Sequence, residues 1–158
     1  MSGKAEMLSA GDVAPDFLVK DHLDRDTTIR QFRGKKVVLY FFPKANTPGC
    51  TAESCGFGSL HAEYEKLGAD VLGCSFDTVA DSAAFAKKFD LPFSLLCDVD
   101  REVGLAYGAC DTPNAGYADR ITYIIDEDGF IAHAFAQVEA RTHPQKVLEI
   151  LKKDQAAS

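Results

Sequence analysis

The fold is decided by one stretch of the chain, Lys35–Cys50, with the sequence KKVVLYFFPKANTPGC. Its first half, Lys35–Phe42, is a continuous run rich in β-branched and aromatic residues, which predicts a central strand buried on both faces. Pro43 ends this strand, because proline cannot donate a ladder hydrogen bond. Thr47, with a proline directly after it, is typical of a helix N-cap followed by the first helical turn. We therefore expect a core strand, a short loop and a helix that begins close to Cys50.

Outward from this stretch, strand and helix patterns alternate. The helix near Cys50 carries an apolar stripe of Phe57, Leu60, Tyr64 and Leu67, and Gly68 is a plausible stop. Further strands are expected at Asp16–Lys20, Thr27–Ile29, Val71–Phe76, Phe93–Cys97, Ile121–Asp126 and Phe130–Gln137, and further helices at Val79–Phe89, Arg101–Tyr107 and Pro144–Lys153. This order predicts an α/β fold, with a mixed central β-sheet flanked by helices, in a single domain over residues 1–158.

Composition and charge exclude several function classes. The chain has 158 residues, of which 46% are apolar, and a net charge of −7, so it has no broad basic surface for nucleic acid. The longest apolar run, Val37–Pro43, is about a third of the length that a membrane-spanning helix needs. The first twelve residues lack the apolar segment of a secretory signal. We expect a soluble, cytoplasmic protein that binds neither nucleic acid nor membrane.

Five cysteines are the unusual feature of the composition: Cys50, Cys55, Cys74, Cys97 and Cys110. Their number is odd, no Cys-x-x-Cys pair exists, and the four histidines lack the spacing of metal ligands. A structural zinc site is therefore not expected. Cys74 lies in a predicted core strand, whereas Cys110 lies in a polar loop and is expected to be the most exposed of the five.

Cys50 lies in the first turn of a predicted helix, where unpaired N–H groups and the helix dipole both favour the thiolate, the nucleophilic form of cysteine. The hydroxyl of Thr47 is close enough in sequence to exchange hydrogen bonds near the sulfur. Pro43 and Pro48 stiffen the loop and could shield the sulfur from water. The alternative is a buried cysteine that serves only as a small apolar residue.

Cys55 follows Cys50 by five residues. In a straight helix their Cα atoms would lie roughly 8–9 Å apart, beyond the usual disulfide limit of about 7 Å. A disulfide between them would require the first turns of the helix to unwind, and Gly56 and Gly58 make unwinding easier. We expect a helix that is folded when reduced and locally unfolded when oxidised. The alternative is that Cys55 merely packs in the core.

These residues resemble a known family. The pattern Pro43-x-x-x-Thr47-x-x-Cys50 resembles the signature of peroxiredoxins, which are thiol peroxidases of thioredoxin-like fold. The longer stretch Thr47–Cys55, TPGCTAESC, is similar to the Q-type, or bacterioferritin-comigratory, subgroup, which often carries its resolving cysteine five residues after the peroxidatic one. Three further segments match as well: Gly11–Phe17 (GDVAPDF), Phe32–Lys35 (FRGK) and Asp119–Arg120.

The resemblance implies a mechanism. Cys50 would attack a hydroperoxide, either hydrogen peroxide or an organic one, and become a sulfenic acid, while Thr47, the Cys50 backbone N–H and Arg120 stabilise the leaving oxygen. Cys55 would form an intramolecular disulfide with Cys50, and thioredoxin or glutaredoxin would reduce it. The resemblance implies no haem, flavin or metal, and a monomer or weak homodimer. Glu53 also matches a subgroup position, and its alternative is a solvated acid near the helix start.

Other interpretations remain open at this point. The same cysteines would serve a non-catalytic redox sensor that signals through the unfolding helix, and turnover discriminates the two. A disulfide reductase is disfavoured because no Cys-x-x-Cys is present. Arg120 could be an ordinary surface arginine, and Cys97 or Cys110 could be a backup resolving thiol or a glutathionylation target.

Overall fold

The computed structural model describes residues 6–157. Its strands are β1 (Val19–Asp21), β2 (Asp26–Thr27), β3 (Lys36–Phe41), β4 (Ala69–Ser75), β5 (Ser94–Cys97), β6 (Ile121–Ile125) and β7 (Ile131–Phe135). Its helices are α1 (Pro48–Ser59), α2 (His61–Lys66), α3 (Val79–Lys88), α4 (Glu102–Ala106) and α5 (His143–Ala157). The first five residues, on which part of the expectation about a secretory signal rests, lie outside the described residues.

The strands form one sheet in the order β2-β1-β5-β4-β3-β6-β7. Strands β3, β4 and β5 are parallel, and the others pair antiparallel, so the predicted mixed sheet is confirmed. Strand β3 lies between β4 and β6 and is buried on both faces, as its unbroken apolar run predicts. Because side chains alternate along a strand, Val37, Leu39 and Phe41 enter one core, and Val38 and Tyr40 enter the other.

The two cores lie on opposite faces of the sheet. Helices α1, α2, α3 and α5 contribute buried side chains to the core that contains Tyr40, including Val147, Leu148 and Leu151 of α5. The other core receives Val103 from α4 and Ala14 and Ile29 from the amino-terminal segment. None of the helices in residues 6–157 is long and apolar enough to cross a membrane.

The predicted helix from Thr47 to Gly68 is wrong in one respect, because the chain forms two helices there. Leu60 separates α1 from α2, because its φ of −100° and ψ of 6° interrupt the helical path. Gly56 and Gly58 weaken the last turn of α1, and both allow prolines of other segments to approach closely. Gly68 adopts a φ of +70° and ends the segment as expected.

The first two strands are displaced from their predicted positions. The side chain of Asp21 accepts hydrogen bonds from the backbone N–H groups of Leu23 and Arg25, which closes a tight turn. This turn brings Asp21 and Asp26 into the strands, although aspartate is rare in strands and sequence patterns exclude it. Ile29, predicted to lie in a strand, instead precedes a short 3-10 turn, Arg30–Phe32.

Gly73, in the middle of β4, offers a test of the packing around Tyr40. A Cβ atom at this position would lie 2.8 Å from Leu95 Cδ2 and 2.9 Å from the Tyr40 ring and hydroxyl, all of them buried. We expect Gly73→Ala to lower the free energy of unfolding by about 1–3 kcal/mol, since an overpacked core must shift. Gly116, whose Cβ would meet nothing within 4 Å, provides the control. Equal urea-denaturation midpoints for Gly73→Ala and Gly116→Ala would contradict this packing.

Candidate active site

Cys50 lies where the loop after β3 enters α1. Pro48 is the first residue of α1, and the first backbone hydrogen bond of the helix runs from Thr51 N–H to the Thr47 carbonyl. The N–H of Cys50 therefore precedes that bond and has no acceptor within the helix. The Cys50 side chain is buried, so the unpaired N–H groups act on its sulfur with little screening by water.

Thr47 occupies the predicted N-cap position, but its side chain does not cap the helix. Its hydroxyl donates instead to the Lys44 carbonyl at 2.8 Å, because the loop turns back on itself there. The expected hydrogen bond between Thr47 and groups near the sulfur is thus absent among the contacts of the described residues. The oxygen lone pairs of Thr47 remain available as acceptors.

Arg120 lies beside Cys50 although the two are far apart in sequence. Strand β6 runs antiparallel to β3, and Phe41 pairs with Ile121, so the start of β6 lies at the end of β3. Arg120 Nη2 donates to Cys50 Sγ at 3.3 Å. A Cβ at Gly49 would lie 3.0 Å from Arg120 Nη2, so glycine leaves room for the guanidinium. No local pattern in the sequence indicates this role of Gly49.

Glu53 anchors the opposite side of the guanidinium. Its Oε1 accepts a hydrogen bond from Arg120 Nη1 at 2.7 Å, and the two side chains form an ion pair. The glutamate is fully buried, so the alternative of a solvated acid is wrong. Burial raises the pKa of the Glu53 carboxyl to about 7, and the hydrogen bond and charge of Arg120 only partly oppose this rise. No partner for Glu53 Oε2 is found among the described residues.

Arg120 therefore lies between two acidic groups, the Cys50 thiol and the Glu53 carboxyl. Burial lowers the pKa of Arg120, but hydrogen bonds and charges from Glu53 and Cys50 outweigh burial and raise it. A cation within hydrogen-bond distance favours the thiolate form of a cysteine. Because Glu53 fixes the other arm of the guanidinium, Nη2 is directed at the sulfur rather than at solvent.

A second carboxylate holds the loop before α1. Asp77 Oδ2 accepts hydrogen bonds from the Ala45 N–H at 2.8 Å and from the Ser75 hydroxyl at 2.7 Å. Asp77 follows β4, and the carboxyl ends of β3 and β4 meet at the same edge of the sheet. The position of Asp77, just after a predicted strand that neighbours β3, is the sequence signal that indicates a role for this residue near the site. Pro43 is half-buried and lines a surface cleft with Phe76 and Arg101.

Cys55 is a half-buried free thiol on the intact helix α1, and burial raises its pKa. Cys74, Cys97 and Cys110 are buried free thiols, and burial raises the pKa of each. The expected exposure of Cys110 is wrong: it is 4% exposed and packs against Gly104. No three or more His, Cys, Asp or Glu side chains in residues 6–157 lie where they could together hold a metal ion.

The raised pKa of Glu53 makes a pH-dependent prediction. Between pH 4.5 and 7 the folded protein holds a proton on Glu53 that the unfolded chain releases, so this contribution to stability is lost as pH rises. We expect wild type to lose on the order of 3 kcal/mol of unfolding free energy relative to Glu53→Gln between pH 5 and pH 8. Urea denaturation at both values measures this difference. The exposed Glu63 provides the control variant, Glu63→Gln, and equal pH dependence for both variants would disprove the assignment.

The chain is similar in sequence and in structure to known proteins. Residues 10–134 match the AhpC/TSA family. The chain is 38% identical to peroxiredoxin Bcp of Escherichia coli over 92% of this chain and 96% of that protein. It is 37% identical to the chloroplastic peroxiredoxin Q of Triticum aestivum over 92% of this chain and 67% of that protein.

A solved structure of the bacterioferritin comigratory protein of Xanthomonas campestris superposes with a TM-score of 0.82 and 30% identity, over 87% of this chain and 91% of that one. The thioredoxin-like fold expected from the sequence resemblance is therefore confirmed. These two sequence relatives and this solved structure are proteins of the Q or Bcp type. The chain belongs to the AhpC/TSA family, among the peroxiredoxins of the Q or Bcp type.

Proposed function

We propose that the protein reduces hydrogen peroxide and organic hydroperoxides, with Cys50 as the peroxidatic thiol. The observation that carries this proposal is the hydrogen bond from Arg120 to Cys50 Sγ, 3.3 Å long, at the start of α1. The cation and the unpaired helix N–H groups together favour a thiolate in a buried site. The Xanthomonas campestris relative has alkyl peroxide reduction activity, which supports the same substrate class here.

In the first step, the Cys50 thiolate attacks one oxygen of the hydroperoxide. An S–O bond forms and the O–O bond breaks, so the sulfur becomes a sulfenic acid and the leaving oxygen departs as water or an alcohol after protonation. Arg120 and the Cys50 N–H are assigned to stabilise the charge on the leaving oxygen. Thr47, whose hydroxyl hydrogen is committed to Lys44, is assigned to accept a hydrogen bond from the substrate. Pro43 is assigned to shield the reacting atoms from water.

In the second step, Cys55 resolves the sulfenic acid. Its sulfur attacks Cys50 Sγ, the S–O bond breaks, and water leaves with the thiol proton, which produces an intramolecular disulfide. Thioredoxin or glutaredoxin then reduces the disulfide by thiol–disulfide exchange. No cofactor takes part in this scheme. A cytoplasmic location, a monomer or weak homodimer, and a single domain over residues 1–158 stay predictions.

Loss of the Arg120 guanidinium should slow the first step. We expect Arg120→Ala to lower the rate of Cys50 oxidation by about 100-fold or more, because one fixed donor to a developing charge contributes a factor of this size. The exposed Arg141 provides the control variant, Arg141→Ala. Stopped-flow measurement of Cys50 oxidation, with circular dichroism to verify the fold, tests this expectation. A folded Arg120→Ala variant with near-normal rates would remove Arg120 from the site.

The roles of the two cysteines are separable by turnover. With excess hydroperoxide and a thioredoxin or glutaredoxin system, wild type should consume many equivalents of peroxide. Cys50→Ser should consume none, and Cys55→Ser should oxidise once at Cys50 without forming the disulfide. A wild type that stops after one equivalent would be a redox sensor rather than an enzyme. Peptide mapping that shows Cys50 linked to Cys110 would contradict the role of Cys55.

A further inference from the structure

A buried hydrogen bond joins α1 to the central strand β3. On α1, it lies at a position between Cys50 and Cys55. The hydroxyl groups of Tyr40 and Ser54 are 2.7 Å apart, and both residues are fully buried. Ser54 lies on α1 directly before Cys55, and Tyr40 lies on β3. Neither residue contacts Cys50 Sγ through a described hydrogen bond, so the reaction scheme above leaves this pair without a role.

The position of Ser54 links this hydrogen bond to the resolving step. In the intact helix α1, Cys50 and Cys55 would have Cα atoms roughly 8–9 Å apart, and a disulfide needs less than about 7 Å. The segment between the cysteines must therefore unwind, and Ser54 moves with it. Tyr40 stays in place, because β3 is paired with β4 and β6 on either side. Disulfide formation therefore breaks the Tyr40–Ser54 hydrogen bond.

Two of the residues between the cysteines are buried, and each has one polar anchor. Glu53 is held by Arg120, and Ser54 is held by Tyr40. Arg120 also donates to the reacting sulfur, so a change to the first anchor alters the oxidation of Cys50 itself. The second anchor holds the same turn of helix and makes no described hydrogen bond to the reacting sulfur, so we expect its loss to act mainly on the second step.

We propose that the Tyr40–Ser54 hydrogen bond sets the partition of the Cys50 sulfenic acid between disulfide formation and overoxidation. This inference rests on the proposed function. While α1 is folded, Cys55 cannot reach the sulfenic acid. A second hydroperoxide can then transfer an oxygen to it, which produces sulfinic acid and releases water or alcohol as the O–O bond breaks. When α1 unwinds, Cys55 displaces water from the sulfenic acid instead.

The size of the effect follows from the net contribution of one neutral buried hydrogen bond. Loss of such a bond shifts the folding equilibrium of the segment by about three- to tenfold. In Tyr40→Phe, the unwound form is therefore more populated, resolution is faster, and overoxidation needs more peroxide. Ser54→Ala should act in the same direction by a smaller factor, because alanine favours helix more than serine does.

The experiment compares Tyr40→Phe, Ser54→Ala, the double variant and wild type. The matched control is Tyr107→Phe, which removes a buried tyrosine hydroxyl that donates to the Pro15 carbonyl on the other face of the sheet. Mass spectrometry measures the hydroperoxide concentration at which half of Cys50 becomes sulfinic acid during turnover. Stopped-flow oxidation measures the first step, and amide exchange of residues 51–55 in the reduced protein measures unwinding directly.

We expect Tyr40→Phe to raise the half-overoxidation concentration and the amide-exchange rates by about three- to tenfold, with an unchanged first step. The double variant should shift no further than Tyr40→Phe, and Tyr107→Phe should not shift. If Tyr40→Phe does not fold, Ser54→Ala tests the inference instead, through its half-overoxidation concentration and its amide-exchange rates.

Two results would overturn this inference but leave the proposed function standing. In the first, Tyr40→Phe forms sulfenic acid at the wild-type rate, but its half-overoxidation concentration stays within twofold of wild type. In the second, Tyr107→Phe shifts the half-overoxidation concentration as much as Tyr40→Phe does. A trapping reagent that detects no sulfenic acid on Cys50 in any variant would instead reject the proposed function, and the inference with it.

Discussion

The site depends on a single guanidinium that serves two acidic groups. Arg120 donates one N–H to Cys50 Sγ and another to Glu53, and both acidic groups lie on α1 within one turn of each other. The arginine directly precedes β6, the strand beside β3, so the register between β3 and β6 determines where its side chain lies. Charges interact more strongly where water does not screen them. Because Cys50 and Glu53 are buried, their electrostatic interactions with Arg120 are stronger than they would be at the surface. The core strand thus positions the chemistry as well as the fold.

Local patterns predicted the parts of the molecule that depend on neighbouring residues. The unbroken apolar run placed β3 in the centre of the sheet, and Thr47 followed by a proline placed the start of α1. The approach of Arg120 to Cys50 came only from the family resemblance, because the pairing of two distant strands leaves no local trace. The burial of Glu53 was also beyond a local pattern, since an acid in the first turns of a helix is ordinarily solvated.

Two errors have the same physical origin. Cys110 was expected to be exposed because polar residues follow it, yet backbone hydrogen bonds from Ala109 to Gly104 and from Asp119 to Ala109 fold the loop onto the core. The helix after Cys50 was expected to be continuous because its apolar stripe is continuous, yet the backbone bends at Leu60. In both places, tertiary packing sets the backbone geometry. The local side-chain pattern does not contain that information, so it predicts the wrong structure.

The tether between Asp77 and the Ala45 N–H has a consequence for the proposed reaction cycle. The loop before α1 is held to the end of β4, so we expect it to keep its shape while the first turns of α1 unwind for the proposed disulfide. The slow part of helix formation is nucleation, in which several backbone angles must be ordered for the first bond. A pre-shaped entrance supplies much of that order, so in the proposed cycle we expect the helix to rewind after each reduction with little new nucleation and to return the thiol to the same place.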